Sequence, residues 1–516
     1  MIHDIKLPLF TKRCLFSIVQ LQMSLLDFAA SDPATRIELE AYGKYLDRDD
    51  CCFKGYGQHI AAAVWHGHRP KRPLAKIALL QEFSQSFHSS DDPRPVYNAQ
   101  DFKRNWLKRI RKEVENLYQC TEAKIEIGYF YGDGIQYIKG KATKNQSENT
   151  EVAPVWQQKA GEFFLYFYNA YLEDSKDGFP ASFFPPDMSA LIPGGKHFGR
   201  QELLKLFLVE NNNLHICPVC DENGYYTDSR GTIRATIDHF LPKDTYPHFA
   251  CHPHNLIPTC YGCNSSVKGL RDPLHVTKGE PGPGILYKEA MPYAEETRRK
   301  DTFYLTVDLS KGLREIRLGN LEYNTQLQDG NEDGLNAALE ILARVYDIPG
   351  RWATGNPLQE NKGPKDILAE ESKQNDTSVE TKKPGFVADR VSETLFRRMR
   401  HFLGQGKDIM PGDNMIDELY NALSLLLYYL SEEDRYKDPL TVPMLWILAA
   451  LLAQEKQQLH QVLLLQQQGI LPKDRHFIPA GLDEVLSWSG QDNAKIQRRE
   501  DTIQAILNVA MKKKGK

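Results

Sequence analysis

An excess of charge of either sign is missing from this chain. Its 516 residues carry 64 Lys and Arg against 68 Asp and Glu, a net charge of −4, so the chain as a whole does not advertise affinity for a polyanion. Long apolar runs are scarce too. Val442 to Ala453 is the most apolar stretch, and because it is short and follows Pro439 it reads as a buried helix rather than a bilayer span. Near the start, Lys12 and Arg13 precede the apolar Cys14 to Val19, but Gln20, Gln22 and Asp27 interrupt it, which argues against a secretory signal. No glycine-rich loop of the nucleotide-hydrolase type occurs, so any use of ATP would fall to another subunit, and no internal repeat is evident. Cysteine is sparse, 9 residues without a disulfide spacing, which points to the cytoplasm and to no membrane association.

Four of those cysteines are organised. Cys217 and Cys220 are answered by Cys260 and Cys263, two Cys-x-x-Cys turns that can close a tetrahedral zinc site. A closed four-thiolate site leaves no open position for substrate, so this zinc is expected to be structural. It would replace a hydrophobic core in a segment too small to have one, and loss of any one cysteine should unfold the module. Cys14, Cys51, Cys52 and Cys120 lack a metal spacing and read as free thiols. Around Cys251, His248, His252 and His254 could supply a ligand, but a polar loop with incidental histidines is the preferred reading.

Between the cysteine pairs lies Ile237-Asp238-His239-Phe240-Leu241-Pro242-Lys243, then Asn255-Leu256-Ile257-Pro258. Thr232, Ile233, Thr236 and Ile237 favour a strand, with Asp238-His239 at its end ahead of Pro242. Asn264 to Lys268 suits a short helix stopped at Gly269. An imidazole beside a carboxylate-bound divalent metal can supply a deprotonated water and a Lewis acid, the two requirements of phosphodiester hydrolysis.

These residues resemble the HNH, or ββα-metal, nucleases. The resemblance rests on Asp238-His239 with Pro242, Asn255-Leu256, Cys260-x-x-Cys263-Asn264 and Lys268-Gly269, in that order, and spans about 60 of the 516 residues. It implies that His239 is the general base, that Asp238 and Asn264 hold a catalytic Mg²⁺ or Mn²⁺, and that Asn255 ties the loop and orients the histidine. The last motif position is Asn264 rather than His, an HNN variant whose amide oxygen is still a hard ligand. The resemblance also implies a DNA endonuclease of a bacterial anti-phage or restriction system, acting on phage or host DNA, with an ATPase or sensor subunit as partner. The competing reading is a zinc-stabilised nucleic-acid- or protein-binding scaffold without turnover.

From His215 to His275 there are 5 Lys and Arg against 6 Asp and Glu, so such a module needs another surface to hold DNA. Lys268 and Arg271 are candidate phosphate contacts within it. Outside it, Asp101 to Leu117 predicts a basic amphipathic helix: Phe102, Trp106, Ile110, Val114 and Leu117 face a core, while Lys103, Arg104, Lys108, Arg109, Arg111 and Lys112 surround the stripe. Lys108 and Arg109 are its candidate substrate contacts. The fold class expected is α+β, mainly helical, with a central ββα-metal module stapled by the zinc site. Composition divides the chain into a mixed region with the basic helix (1–150, closed by a polar break from 139 to 154), a connector of helix and loop (151–210), the nuclease-like module (211–280), a small α/β extension (281–355), a polar linker (356–385) and a helical region (386–516). The extension predicts a hairpin around Lys311-Gly312 and a helix from Gly334 to Tyr346, and Leu423 to Leu430 with Leu445 to Leu452 predicts a helical hairpin.

Overall fold

The computed structural model describes residues 3, 5–31, 38–66, 73–89, 99–131, 135–138, 141–144, 153–173, 178–192, 195, 197–211, 214–221, 226–229, 232–274, 284–293, 303–308, 317–323, 332–348, 351–352, 415–431, 440–453 and 493–511. It is mainly helical, and every ladder among the described residues is a two-stranded antiparallel pair.

Helix α1 (Leu9–Ser31) is long and apolar enough to cross a membrane by length and composition, yet most of it is buried inside the protein. A helix apolar on nearly all sides is at home in a core. Two of the polar groups that interrupt it find partners there: Gln22 Nε2 donates to the Phe164 carbonyl at 3.1 Å, and Asp27 pairs with Arg111. After α2 (Leu39–Leu46), α3 (Gly57–His66) and α4 (Pro73–His88) comes the predicted basic helix, α5 (Ala99–Gln119). Its apolar stripe does turn inward, with Trp106, Ile110, Val114 and Leu117 buried and the Trp106 ring edge-on to Trp156 at 4.9 Å. Each such side chain contributes about 1.5–3 kcal/mol of burial.

Strand β1 (Lys124–Ile127) pairs with the distant β10 (Gly284–Tyr287). The stretch expected to be a polar break contains a strand, β3 (Lys141–Lys144), which pairs with β2 (Ile135–Ile138); hairpin pairing overrides the local polarity there. Helix α6 (Val155–Phe167) starts after Pro154 and runs into a π-helical turn, Tyr168–Glu173. A small ladder of β4 (Phe179–Pro180) and β5 (His197–Phe198), with α7 (Pro186–Ser189) between them, leads to α8 (Arg200–Glu210).

Two short ladders frame the central segment. Strand β6 (Tyr226–Thr227) pairs with β7 (Ile233–Arg234), and β8 (Thr236–His239) with β9 (Leu256–Thr259), Asp238 opposite Ile257 and His239 opposite Leu256. The expected strand is thus split at Ala235. Downstream, β11 (Phe303–Asp308) pairs with β12 (Arg317–Tyr323), the predicted turn at Lys311-Gly312 lying outside the described residues, and the predicted helix runs Glu332–Glu340 and then as a π-helix Ile341–Val345. The apolar helices Met415–Ser431 and Thr441–Leu452 pack together, joined by Asn493–Met511. The expected linker 356–385 lies outside the described residues, as do 386–414.

The histidine-rich loop between β8 and β9 is core rather than an incidental polar turn. His248 and His252 are fully buried and His254 nearly so. His248 stacks on Phe130 at 5.3 Å and faces Glu113 at 3.3 Å, and His252 Nε2 meets the Val114 carbonyl at 3.2 Å. Burial holds all three imidazoles below the ordinary histidine pKa, against the opposing pull of Glu113 on His248, and takes His254 to about 3. The unfolded chain therefore takes up protons below about pH 6.5 that the folded chain refuses, so this stability is complete above that pH and is lost as pH falls. Each histidine costs about 1.4 kcal/mol per pH unit in that window. The urea midpoint should drop clearly between pH 7 and pH 5, and the drop should shrink in His254→Gln. A midpoint constant over that range would contradict the burial argument.

Candidate metal and catalytic centre

The four paired cysteines converge. Their Sγ atoms all lie within 4.8 Å of one another, with Cys217 to Cys263 at 3.8 Å and Cys220 to Cys260 at 3.7 Å. A tetrahedral Zn²⁺ with sulfur ligands at about 2.3 Å requires sulfurs about 3.8 Å apart. None is in a disulfide, and all four are buried. Such a cluster can hold a metal such as zinc. Backbone N–H groups point into it, Cys260 N to Cys217 Sγ at 3.4 Å and Cys263 N to Cys260 Sγ at 3.3 Å. The hydrogen bonds of the neighbouring thiols push Cys260 far down toward thiolate, while burial pushes Cys220 and Cys263 up. A buried guanidinium completes the cage: Arg351 Nη1 lies 3.0 Å from Cys263 Sγ.

The hairpin that follows carries the imidazole. His239 ends β8, and its Nε2 lies 3.1 Å from the Ala250 carbonyl, an acceptor only, so Nε2 carries the proton and Nδ1 carries the lone pair. Burial first, then Lys243 and Lys268, holds this imidazole well below the ordinary histidine pKa and keeps it neutral. The Tyr168 ring from the π-helical turn lies edge-on at 4.3 Å. Asn255 laces the loop. Its Oδ1 accepts from Leu241 N at 2.6 Å, and its Nδ2 donates to the carbonyls of Leu241 and Phe249 at 3.1 and 3.0 Å. After β9 the chain turns into a π-helical stretch, Gly262–Lys268, which starts two residues before the expected Asn264 and stops at Gly269 with φ +50°. Only a residue tolerant of the left-handed region stops a helix that way.

Asp238 does not stand free. Its Oδ1 receives Lys268 Nζ at 2.8 Å and its Oδ2 receives the Tyr346 hydroxyl at 2.8 Å, all three side chains being buried. Lys268 also donates to the His239 carbonyl. Asn264 Nδ2 donates to the Ile237 carbonyl at 3.3 Å, beside Asp238 in the chain. A carboxylate and an amide oxygen are the right kind of donors for Mg²⁺ or Mn²⁺, but an ammonium at hydrogen-bond distance from the carboxylate does not fit a divalent cation bound to it in this arrangement. Among the expected phosphate contacts, Lys268 is spent on Asp238, Arg271 Nη1 donates to the Arg344 carbonyl at 3.0 Å, and Arg109 bonds Glu113 at 2.7 Å and the Tyr129 carbonyl at 3.1 Å; Lys108 is exposed. Tyr346, Tyr168 and Arg351 were not among the residues expected at the site. No spacing marks them, because they reach it from other elements.

With this geometry in hand, known proteins supply a partial match. The chain is similar in part to a Septu protein. Septu protein PtuB of Bacillus thuringiensis is 38% identical over 94 residues, 17% of this chain and 31% of that protein. Protein ea31 of Escherichia phage lambda is 42% identical over 53 residues, 10% of this chain and 15% of that protein. The matches thus span less than a third of either relative. No family profile and no solved structure matches the chain.

One consequence concerns the cysteines alone. Metal analysis of the purified chain should give about one zinc, and Cys263→Ser, which also strips Arg351 of its thiolate, should lose it with several kcal/mol of stability. Retention of full zinc and an unchanged melting temperature in that variant would remove the cluster from the fold's supports.

Proposed function

We propose that the chain is a metal-dependent HNH endonuclease that hydrolyses DNA phosphodiester bonds as an effector of bacterial anti-phage defence. The partial similarity to a Septu protein supports a defence role. The observation that carries the hydrolase reading is the fixed tautomer of His239. Its Nε2 is tied to the Ala250 carbonyl, so the basic lone pair sits on Nδ1 in a loop that Asn255 holds by three hydrogen bonds. A neutral imidazole whose tautomer and orientation are set in advance is the equipment of a general base, and it takes the proton of an attacking water at Nδ1. Asn255 is a positioning residue in this reading, and the zinc cluster fixes the ends of the loop without touching substrate. Asp238 and Asn264 are the residues that would hold Mg²⁺ or Mn²⁺ once Asp238 is free; a bound cation would stabilise charge on the phosphate.

The second reading, a zinc-stabilised binding scaffold without turnover, draws support from one observation: both oxygens of Asp238 are engaged and His239 is almost fully covered. Incubation of supercoiled plasmid with the zinc-loaded chain and Mg²⁺ or Mn²⁺ separates the two. The nuclease reading expects nicking or linearisation that falls by at least about a hundredfold in His239→Ala at unchanged zinc content. Equal cleavage by wild type and His239→Ala would dismiss His239 as the base, and DNA binding without cleavage would favour the scaffold.

A further inference from the structure

The engagement of Asp238 is specific and long-range. Its two partners come from different directions: Lys268 from the end of the π-helical stretch after the second cysteine pair, and Tyr346 from a segment 108 residues away in sequence. The Tyr346 hydroxyl, 2.8 Å from Oδ2, faces Asp238 as a donor, since a carboxylate oxygen only accepts. The segment that delivers it is docked at both ends. Tyr346 closes the π-helix Ile341–Val345, and Arg271 holds the preceding turn at the Arg344 carbonyl. Asp347 then turns the chain in the left-handed region at φ +48°, and Arg351, whose N–H returns to the Asp347 carbonyl at 2.9 Å, sets its guanidinium on Cys263 Sγ. A single short segment therefore touches the cysteine cluster and the candidate catalytic carboxylate together.

A hard divalent cation on Asp238 would need a carboxylate oxygen at about 2.0–2.4 Å. Oδ1 faces an ammonium, whose repulsion of a dication is strong in a buried site, and Oδ2 already accepts from a phenol hydroxyl at 2.8 Å. We propose that Tyr346 is a latch on Asp238: while its hydroxyl and the Lys268 ammonium hold the carboxylate the site refuses a divalent cation, and loading requires Tyr346 to withdraw. This rests on the reading of Asp238 and Asn264 as the cation-binding pair. It assigns to the segment that carries Tyr346 control of the catalytic cation, and it makes the arrangement described here the off state of the site. A partner that displaces this segment would free Oδ2 without touching the hairpin.

The test is direct binding of Mn²⁺ to the zinc-loaded full chain, read from the electron paramagnetic resonance signal of free Mn²⁺. Tyr346→Phe keeps the buried ring and removes only the donor, and it should bind Mn²⁺ at least about tenfold more tightly than wild type. Lys268→Gln, which removes the competing charge, should tighten binding as well and serves if the first variant folds poorly. Adding Asp238→Asn to either variant should abolish the gain. Affinity in a folded Tyr346→Phe equal to or weaker than wild type, absence of Mn²⁺ binding in both variants, or a gain that persists with Asp238→Asn would overturn the latch. Cleavage is scored separately. Tighter Mn²⁺ binding without His239-dependent cutting would keep the latch and discard the nuclease reading, whereas His239-dependent cutting with no gain in Tyr346→Phe would discard the latch alone.

Discussion

The first Cys-x-x-Cys turn is the point on which the rest of the structure hangs. Five residues, Cys217 to Asp221, receive contacts from three remote parts of the chain. His3 donates its N–H to the Pro218 carbonyl and pairs its ring with Asp221 Oδ1 at 2.6 Å. Trp352 donates to the Cys220 carbonyl at 3.3 Å. The helix Thr441–Leu452 begins there, with Leu440 N on the Asp221 carbonyl at 2.7 Å and Val442 N on Asp221 Oδ2 at 2.8 Å. Asp221 does this from a left-handed conformation at φ +60°, and its carboxylate at a helix N-terminus satisfies an orphan N–H where the dipole favours negative charge. Four thiolates on a metal can fix such a turn where a small core could not, because metal binding supplies on the order of 10 kcal/mol in such sites. Loss of the cluster would therefore loosen the N-terminus, the 341–352 segment and the apolar helices together.

Buried cations follow the same logic at the neighbouring site. Lys268, Arg351 and Lys103 are all buried, and each meets a concentration of negative charge or carbonyl oxygen: the Asp238 carboxylate, the Cys263 sulfur, and the Phe87 and Ser89 carbonyls at the end of α4 at 2.8 and 3.0 Å. A buried charge deprived of its partner costs several kcal/mol, so these pairings are structural commitments rather than chance contacts. They also separate the chemistry by ligand type. The four paired sulfurs gather in the cluster, the Asp238 carboxylate lies apart from them, and the residues Tyr346 and Arg351 touch one each.

How much of this was legible in the sequence divides by range. The cysteine spacing announced the cluster because metal ligands on a turn are fixed by local geometry. The stripe of α5 gave its buried face, whereas the three hydrogen bonds by which Asn255 laces its loop are made to residues no spacing points to. Periodicity could not say who the basic residues of α5 would meet: Arg111 goes to Asp27, Arg109 to Glu113, and Lys103 under the end of α4. Nor could composition show that His248, His252 and His254 are core, since an imidazole is polar in a tally and apolar in a ring stack. Tyr346 was invisible for the plainest reason. Its partner is 108 residues away, and no local pattern encodes a contact made by tertiary packing.

The same pairings bear on how a polyanion would be held. Salt-dependent affinity for DNA comes from cations free to replace counterions on phosphates. Of the described basic residues between His215 and Leu274, Arg234 is paired with Asp228 at 2.8 Å, Lys268 with Asp238, and Arg271 with the Arg344 carbonyl; Lys243 lies 3.6 Å from Glu173 and over the Tyr168 ring at 4.7 Å. Lys243 lies over the Tyr168 ring, which itself packs against His239. Under the nuclease reading proposed above, opening that cover would expose His239 and release an ammonium beside it at once, so access to the base and attraction for phosphate would rise together. On that reading a site closed on both sides, by Tyr168 over His239 and by Tyr346 on Asp238, would gain its affinity for a polyanion only on opening, which reconciles it with a segment that has no excess of positive charge.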